Sequence, residues 1–112
     1  MSLRTIFYST AAKNEPVRVF LQGLDKPDRL TVGSDIRVIQ NGWPVGPPLC
    51  KPVSGYEGLW EVRSDISDGR IVRIYFGVAN GEMRLVHAII KKSQSAPKPA
   101  LNLAKKRLKE MV

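Results

Sequence analysis

The chain has 112 residues, of which 43% are hydrophobic, and its formal net charge is +8. This length suits a single domain over residues 1–112. The apolar runs are shorter than the roughly 20 residues of a transmembrane helix, and the N-terminus does not resemble a signal peptide. The single cysteine, Cys50, cannot form an internal disulfide. These features predict a cytoplasmic protein with no membrane partner.

The positive charge is concentrated in the last quarter of the chain. Residues 1–83 contain 10 Lys and Arg against 9 Asp and Glu, whereas residues 84–112 contain 8 against 1. Such an asymmetry indicates a polyanionic partner, with nucleic acid as the leading candidate. A well-solvated surface helix is the alternative explanation.

The first forty residues predict a strand followed by a helical hairpin. The strand covers residues 3–8 (LRTIFY). One helix begins near Pro16 with Asn14 as its cap, and a second begins at Asp25 with Pro27 in its first turn. The hairpin should cover one face of a sheet. Its predicted buried positions are Val17, Phe20, Leu21 and Leu24 in the first helix and Leu30, Val32, Ile36 and Ile39 in the second.

Residues 41–58 are predicted to form a loop, because they contain four Pro and four Gly. The loop is long for a connection without secondary structure. Its length indicates either a function or attachment to the domain through Trp43 and Tyr56.

Residues 60–90 predict three consecutive antiparallel strands, at 60–65, 71–79 and 84–90. The connecting turns are Asp68-Gly69 and Asn80-Gly81. Asn-Gly is a strong hairpin signal, because both central residues of a type I′ turn need positive φ. The third strand is almost continuously apolar, which predicts that both of its faces are covered. Together with the first strand, this meander predicts a mainly antiparallel sheet.

A final helix is predicted from Pro97 or Pro99 to about Met111. Its apolar stripe contains Leu101, Ala104, Leu108 and Met111, while Lys105, Lys106 and Lys109 face outward. The predicted fold class is therefore α+β, with an N-terminal strand and helical hairpin on a mainly antiparallel sheet and a basic C-terminal helix.

Alternation along the strands predicts a cationic face on the meander. Arg63 and Arg73 can converge on one surface if the strand register allows it. The third strand closes with Lys91 and Lys92. Guanidinium groups beside a lysine pair are well suited to hold a phosphate.

The neighbouring residues have simpler structural explanations. Glu61 and Arg63 most simply form a surface ion pair of little energetic value, although Glu61 could instead orient Arg63 for a ligand. His87, the single histidine, is expected to lie in or near the core, as are Tyr75 and Trp60. The sequence has no P-loop, no GxSxG elbow and no Cys–His metal spacing, so it predicts neither a metal site nor a cofactor.

Three segments in combination resemble the phage-derived Gp49-like branch of the HigB/RelE toxin superfamily. Residues 59–63 (LWEVR) resemble a Leu-Trp/Tyr-Glu-Leu-Arg strand, and Arg73 stands in the second strand where the branch has an arginine. Lys91, Lys92 and Ser93, followed by Pro97, resemble the Lys-Lys-Thr stretch that precedes the last helix. Val72 departs from the aromatic residue common before the arginine. The resemblance implies a RelE-like fold over essentially the whole chain.

The same resemblance implies the toxin of a type II toxin–antitoxin system that cuts mRNA on the ribosome. In such enzymes the RNA 2′-OH attacks the adjacent phosphate, so the protein needs to position the backbone, stabilise charge and move protons, without metal. The implied partners are ribosome-bound mRNA, a helix-turn-helix antitoxin and, through their complex, operator DNA. Arg63 and Arg73 would hold the scissile phosphate. Lys91 and Lys92 would serve the flanking phosphate or proton transfer.

Further basic residues are predicted RNA contacts: Lys51, Lys98, Lys105, Lys106 and Lys109. Glu61, Tyr75 and His87 are candidates for supporting roles. Two other functions remain open, namely a nucleic-acid-binding or co-repressor protein without catalysis and a gyrase-inhibiting toxin of the same fold.

Overall fold

A computed structural model describes residues 2–91 and 97–111 of the chain. Within these residues it contains five strands and three helices, an α+β arrangement as predicted. None of the helices in the described part is long and apolar enough to cross a membrane. The elements are β1 (Arg4–Phe7), α1 (Pro16–Gln22), α2 (Lys26–Gly42), β2 (Cys50–Pro52), β3 (Trp60–Asp65), β4 (Ile71–Ala79), β5 (Glu82–Lys91) and α3 (Lys98–Glu110).

The strands form one sheet in the order β1-β5-β4-β3-β2. The pairs β2–β3, β3–β4 and β4–β5 are antiparallel, whereas β1 pairs with the other side of β5 in parallel. Both predicted turns are confirmed, because Asp68 and Gly69 have φ of 63° and 69°, and Asn80 and Gly81 have φ of 54° and 74°. These turns fix the register of the meander that carries the candidate site.

The helical hairpin covers one face of the sheet, as predicted. Val17, Val32 and Ile39 are buried in a core with the inward side chains of the strands. Leu30 was expected in this core, but it is 62% exposed. Leu30 lies two residues from the buried Val32, and two helical residues turn through about 200°, so their side chains point to opposite sides. The cap of α1 is Glu15 rather than Asn14, because the helix already begins at Pro16.

Helix α3 covers the opposite face of the sheet. Ala104 is fully buried against Leu59, Tyr75 and Val86, and the remaining predicted stripe residues of α3 pack around this cluster. The side chain of Arg107 donates to the Val86 carbonyl at 3.0 Å. The third meander strand therefore has both faces covered, which its continuous apolar character predicted.

A bulge in β5 determines which side chains of that strand pack against α3. Tyr75 pairs with His87, whereas the next residue, Phe76, pairs with Leu85, so Val86 is an extra residue in β5. A bulge of this kind sets two residues of one strand against one residue of its partner. Val86 packs in the cluster beneath α3, and His87 stacks on Tyr75 in the same region.

The segment 41–58 is not wholly a loop, because it contains the edge strand β2. Pro52 can end such a strand, since an edge strand tolerates a residue without a backbone N–H. The predicted attachment by aromatic residues is confirmed. The Trp43 ring meets Trp60 with centroids 4.9 Å apart, and the Tyr56 hydroxyl donates to Asn102 Oδ1 at 2.6 Å.

Two aspartates of α2, Asp28 and Asp35, form hydrogen bonds to the end of β3 and to the turn that follows it. Asp28 accepts hydrogen bonds from the Ser67 backbone N–H at 3.1 Å and from Arg70 Nη2 at 3.1 Å. Ser64 Oγ donates to Asp35 Oδ2 at 2.7 Å. One face of α2 is therefore held in register with the end of β3.

Candidate functional site

The strand register brings Arg63 and Arg73 together, as the alternation predicted. They are direct partners in the β3–β4 ladder, so both side chains lie on the α3 face of the sheet. Side chains directly opposite each other in a ladder have Cβ atoms about 5 Å apart, and like charges in such a pair repel. The pair therefore needs a compensating negative charge.

Glu61 supplies that charge from the same face of β3. Its Oε2 accepts from Arg73 Nη1 at 3.3 Å, and its Oε1 lies 3.9 Å from Arg63 Nε. Glu61 is only 3% exposed, so the expectation of a surface ion pair is wrong. The reason is β2, which pairs Lys51 with Glu61 and moves β3 away from the sheet edge.

The two arginines differ in access to solvent. The Arg63 side chain is 24% exposed, whereas Arg73 is 1% exposed. Arg63 can therefore contact a ligand directly, while Arg73 is buried on the neighbouring strand, beside Glu61 and Tyr75. Burial first, and then Glu61, raise the pKa of Tyr75 to about 12. Tyr75 is thus a neutral, fully buried phenol at pH 7, which confirms its placement in the core.

His87 lies under α3, in agreement with the expected core position. Its ring stacks on Tyr75 at a centroid distance of 6.4 Å, and its Nδ1 is 3.4 Å from Arg107 Nη1. Burial and the nearby Arg107 charge lower the pKa of His87. The imidazole is therefore neutral at pH 7. Arg107 was absent from the predicted set, although its spacing from Ala104 on one helix face was a usable signal.

Two predicted lysines lie on the same face of the sheet as Arg63 and Arg73. Lys91 pairs with Ile71, which lies two residues from Arg73 in β4. Lys91 is therefore on the same face as Arg73, about 7 Å further along the strand. Lys51 stands opposite Glu61 on β2 and is exposed. Lys92 was assigned with Lys91, but it lies outside the described residues, as does Ser93.

The lysines of α3 are spread along the helix rather than gathered at the arginines. Lys106 and Lys109 are exposed, as predicted, and Lys98 is exposed as well. Lys105 is half-buried, because its Nζ donates to the Glu57 carbonyl, so the outward placement predicted for it is wrong. The exposed lysines form a diffuse positive surface that can attract a polyanion without specific geometry.

Arg63 also lines a cavity of about 430 Å³ between β3, α2 and the segment that precedes β2. Asp35 on α2 and Asp65 at the end of β3 are among its other walls. Neither carboxylate was predicted as a site residue. For Asp35 the reason is that no local pattern relates it to a strand almost thirty residues later in the chain. The cavity thus places an arginine and two carboxylates around one space.

The fold and this site define a small basic α+β protein with a guanidinium group at a cavity beside its sheet. Residues 19–109 match the model of the family described as phage-derived protein Gp49-like. The chain therefore belongs to the Gp49-like family. Comparisons with curated proteins and with solved structures give no significant match. Membership in this family is consistent with the toxin of a toxin–antitoxin pair.

Proposed function

We propose that this Gp49-like protein is the toxin of a type II toxin–antitoxin system and cleaves ribosome-bound mRNA in the cytoplasm. The observation that carries the proposal is the arginine pair. A partly exposed Arg63 stands at a cavity, directly opposite the buried Arg73, and the buried Glu61 lies against both. A fixed guanidinium is a strong, directional partner for a phosphate.

The reaction that suits this site uses the RNA as its own nucleophile. The 2′-oxygen forms a bond to the adjacent phosphorus, the P–O5′ bond breaks, and the products are a 2′,3′-cyclic phosphate and a 5′-OH. Arg63 would stabilise the charge that accumulates on the phosphate oxygens. Lys91 and Lys92 would hold the flanking phosphate or transfer the proton from the 2′-OH to the departing O5′, which becomes the 5′-OH. This route requires no metal.

Arg73 takes a different role from the one predicted. Because its side chain is buried and bonded to Glu61, it would act by positioning Glu61, and thereby Arg63, rather than by touching RNA. Lys51, Lys98, Lys106 and Lys109 would add salt-dependent attraction to RNA.

The test is cleavage of a defined mRNA on bacterial ribosomes, read by mapping the new 5′ ends. Arg63→Ala should lower the rate by roughly 10²–10³, the usual cost of removing one charge-stabilising donor. Arg37→Ala is the matched control, because Arg37 is an exposed arginine on α2 and its removal changes the net charge equally. Wild-type cleavage by the Arg63 variant, with its fold intact, would remove Arg63 from the site.

The same experiment separates the two other functions. RNA binding without new 5′ ends would indicate a nucleic-acid-binding or co-repressor protein. Intact mRNA together with gyrase trapped on DNA would indicate a gyrase inhibitor. The proposed partner is a helix-turn-helix antitoxin, whose co-expression should relieve growth arrest caused by the toxin and whose complex with it would bind operator DNA.

A further inference from the structure

We infer that the cavity beside Arg63 is a specificity pocket that receives a guanine base of the bound RNA. The inference rests on the proposed function, since it names the base that the same site would read. The cavity volume of about 430 Å³ lies in the range of small-ligand pockets. Pro48 and Leu49 supply an apolar wall, and Asp35, Asp65 and Arg63 supply charged groups.

Asp35 is a fixed acceptor in this cavity. The Ser64 hydroxyl donates to Asp35 Oδ2 at 2.7 Å, and Ser64 itself is buried on β3. A carboxylate offers about four acceptor positions on its two oxygens, so a single bond from Ser64 leaves capacity for further donors. The buried serine therefore orients Asp35 without saturating it.

The open end of β3 gives a ligand access to this acceptor. Pairing between β2 and β3 reaches only Cys50 with Val62, and the Arg63 N–H then bonds to the Leu49 carbonyl at 2.9 Å. Asp65 lies two residues further, beyond the last contact with β2. The cavity opens where this pairing stops, so a flat base can approach along the sheet edge.

The charges divide the cavity into two parts with different ligand preferences. Asp35 and Asp65 repel a phosphate and attract N–H donors, whereas Arg63 attracts a phosphate. A nucleotide can satisfy both parts if its base points to the carboxylates and its phosphate to Arg63. A cationic side chain from a partner protein fits less well, because it would meet the Arg63 charge.

Among the four RNA bases, guanine matches a carboxylate best. Its Watson–Crick edge presents two adjacent donors, N1–H and the 2-amino group, which one carboxylate can accept together. Adenine and cytosine each offer one amino donor next to an acceptor nitrogen, and uracil offers one N–H between two carbonyl groups. Single-stranded RNA is read on these edges, and a good two-bond contact discriminates bases by about 1–3 kcal/mol.

The first test compares the base preference of cleavage in the wild type and in Asp35→Asn. We expect wild-type cuts to favour guanine at one position next to the scissile bond. In Asp35→Asn the ratio of cleavage at guanine to cleavage at adenine should fall by about 5- to 160-fold, the conversion of the discrimination energy above. Asp25→Asn is the matched control, since Asp25 is exposed and lies outside the cavity, and it should keep the wild-type ratio.

The second test measures binding without catalysis. Guanosine 5′-monophosphate should perturb the NMR signals of β3 and bind the wild type more tightly than adenosine 5′-monophosphate, and Asp35→Asn should abolish the difference. If the protein binds guanosine 5′-monophosphate in this way but cuts no RNA, the guanine pocket is supported and the proposed function is overturned. Cleavage with no guanine preference, an unchanged ratio in Asp35→Asn, or binding of arginine amide in preference to the nucleotide would overturn the pocket.

Discussion

Replacement of Glu61 by glutamine tests whether the buried charges form a coupled unit. The change keeps the side-chain shape but removes the negative charge that lies 3.3 Å from Arg73 Nη1 and 3.9 Å from Arg63 Nε. Because Arg73 is almost fully buried, water cannot replace the lost partner. Removing one member of a buried ion pair costs about 3–5 kcal/mol. At roughly 4 °C per kcal/mol for a domain of this size, the Tm should fall by about 12–20 °C.

Urea unfolding followed by circular dichroism measures this loss. The matched control is Glu15→Gln, because Glu15 pairs with Arg18 at the surface, and an exposed pair contributes about 1 kcal/mol or less. In a double-mutant cycle with Arg73→Met, the combined loss should be smaller than the sum of the single losses by at least about 1 kcal/mol. A near-neutral Glu61→Gln variant, or strictly additive losses, would refute the coupling.

Packing and burial also predict the effects of two substitutions and the reactivity of one thiol. A Cβ at Gly77 would lie 2.5 Å from Leu108 Cδ1, so Gly77→Ala should lower the unfolding free energy by about 1–3 kcal/mol, and unchanged urea stability would contradict the packing of α3. Burial and Arg107 lower the pKa of His87 in the folded protein. The unfolded chain therefore binds more protons than the folded protein below about pH 6.5, so the urea midpoint should decrease as the pH is lowered through this range. His87→Gln should flatten that fall, and an identical pH profile in the variant would disprove it. Burial raises the pKa of Cys50 to about 11, so Ellman's reagent at pH 8 should react only after unfolding, and rapid reaction of the native protein would contradict this.

The meander was predictable because its signals are local. Strand alternation and the turn at Asn80-Gly81 depend on neighbouring residues, and they defined β3 and β4 with the observed bounds. Strand β2 was missed because its three residues, Cys50 to Pro52, are too few to show periodicity and include a proline. Its partner residues in β3 lie about ten residues further along the chain, after a turn-rich segment.

The face of the sheet that carries the candidate site was predictable from the sequence, but the burial of its side chains was not. Alternation and turn type determine that Arg63 and Arg73 share a face, since the turn sets the register. Burial depends on what covers that face, and no local pattern shows that β2 lies outside Glu61. The contact of Asp35 with Ser64 likewise follows from the angle at which α2 crosses the sheet, which no sequence spacing encodes.

Stability alone does not explain why the charged cluster is buried. Well-packed hydrophobic residues in place of a buried ion pair are often neutral or stabilising by about 1–4 kcal/mol. The α3 face of the sheet could therefore accept apolar side chains at Glu61 and Arg73, as the opposite face does at Val62 and Ile74. The buried carboxylate, 3.9 Å from Arg63 Nε, instead attracts the guanidinium electrostatically before a ligand arrives. In the proposed reaction, a guanidinium held in this way would stabilise charge on the phosphate with less reordering.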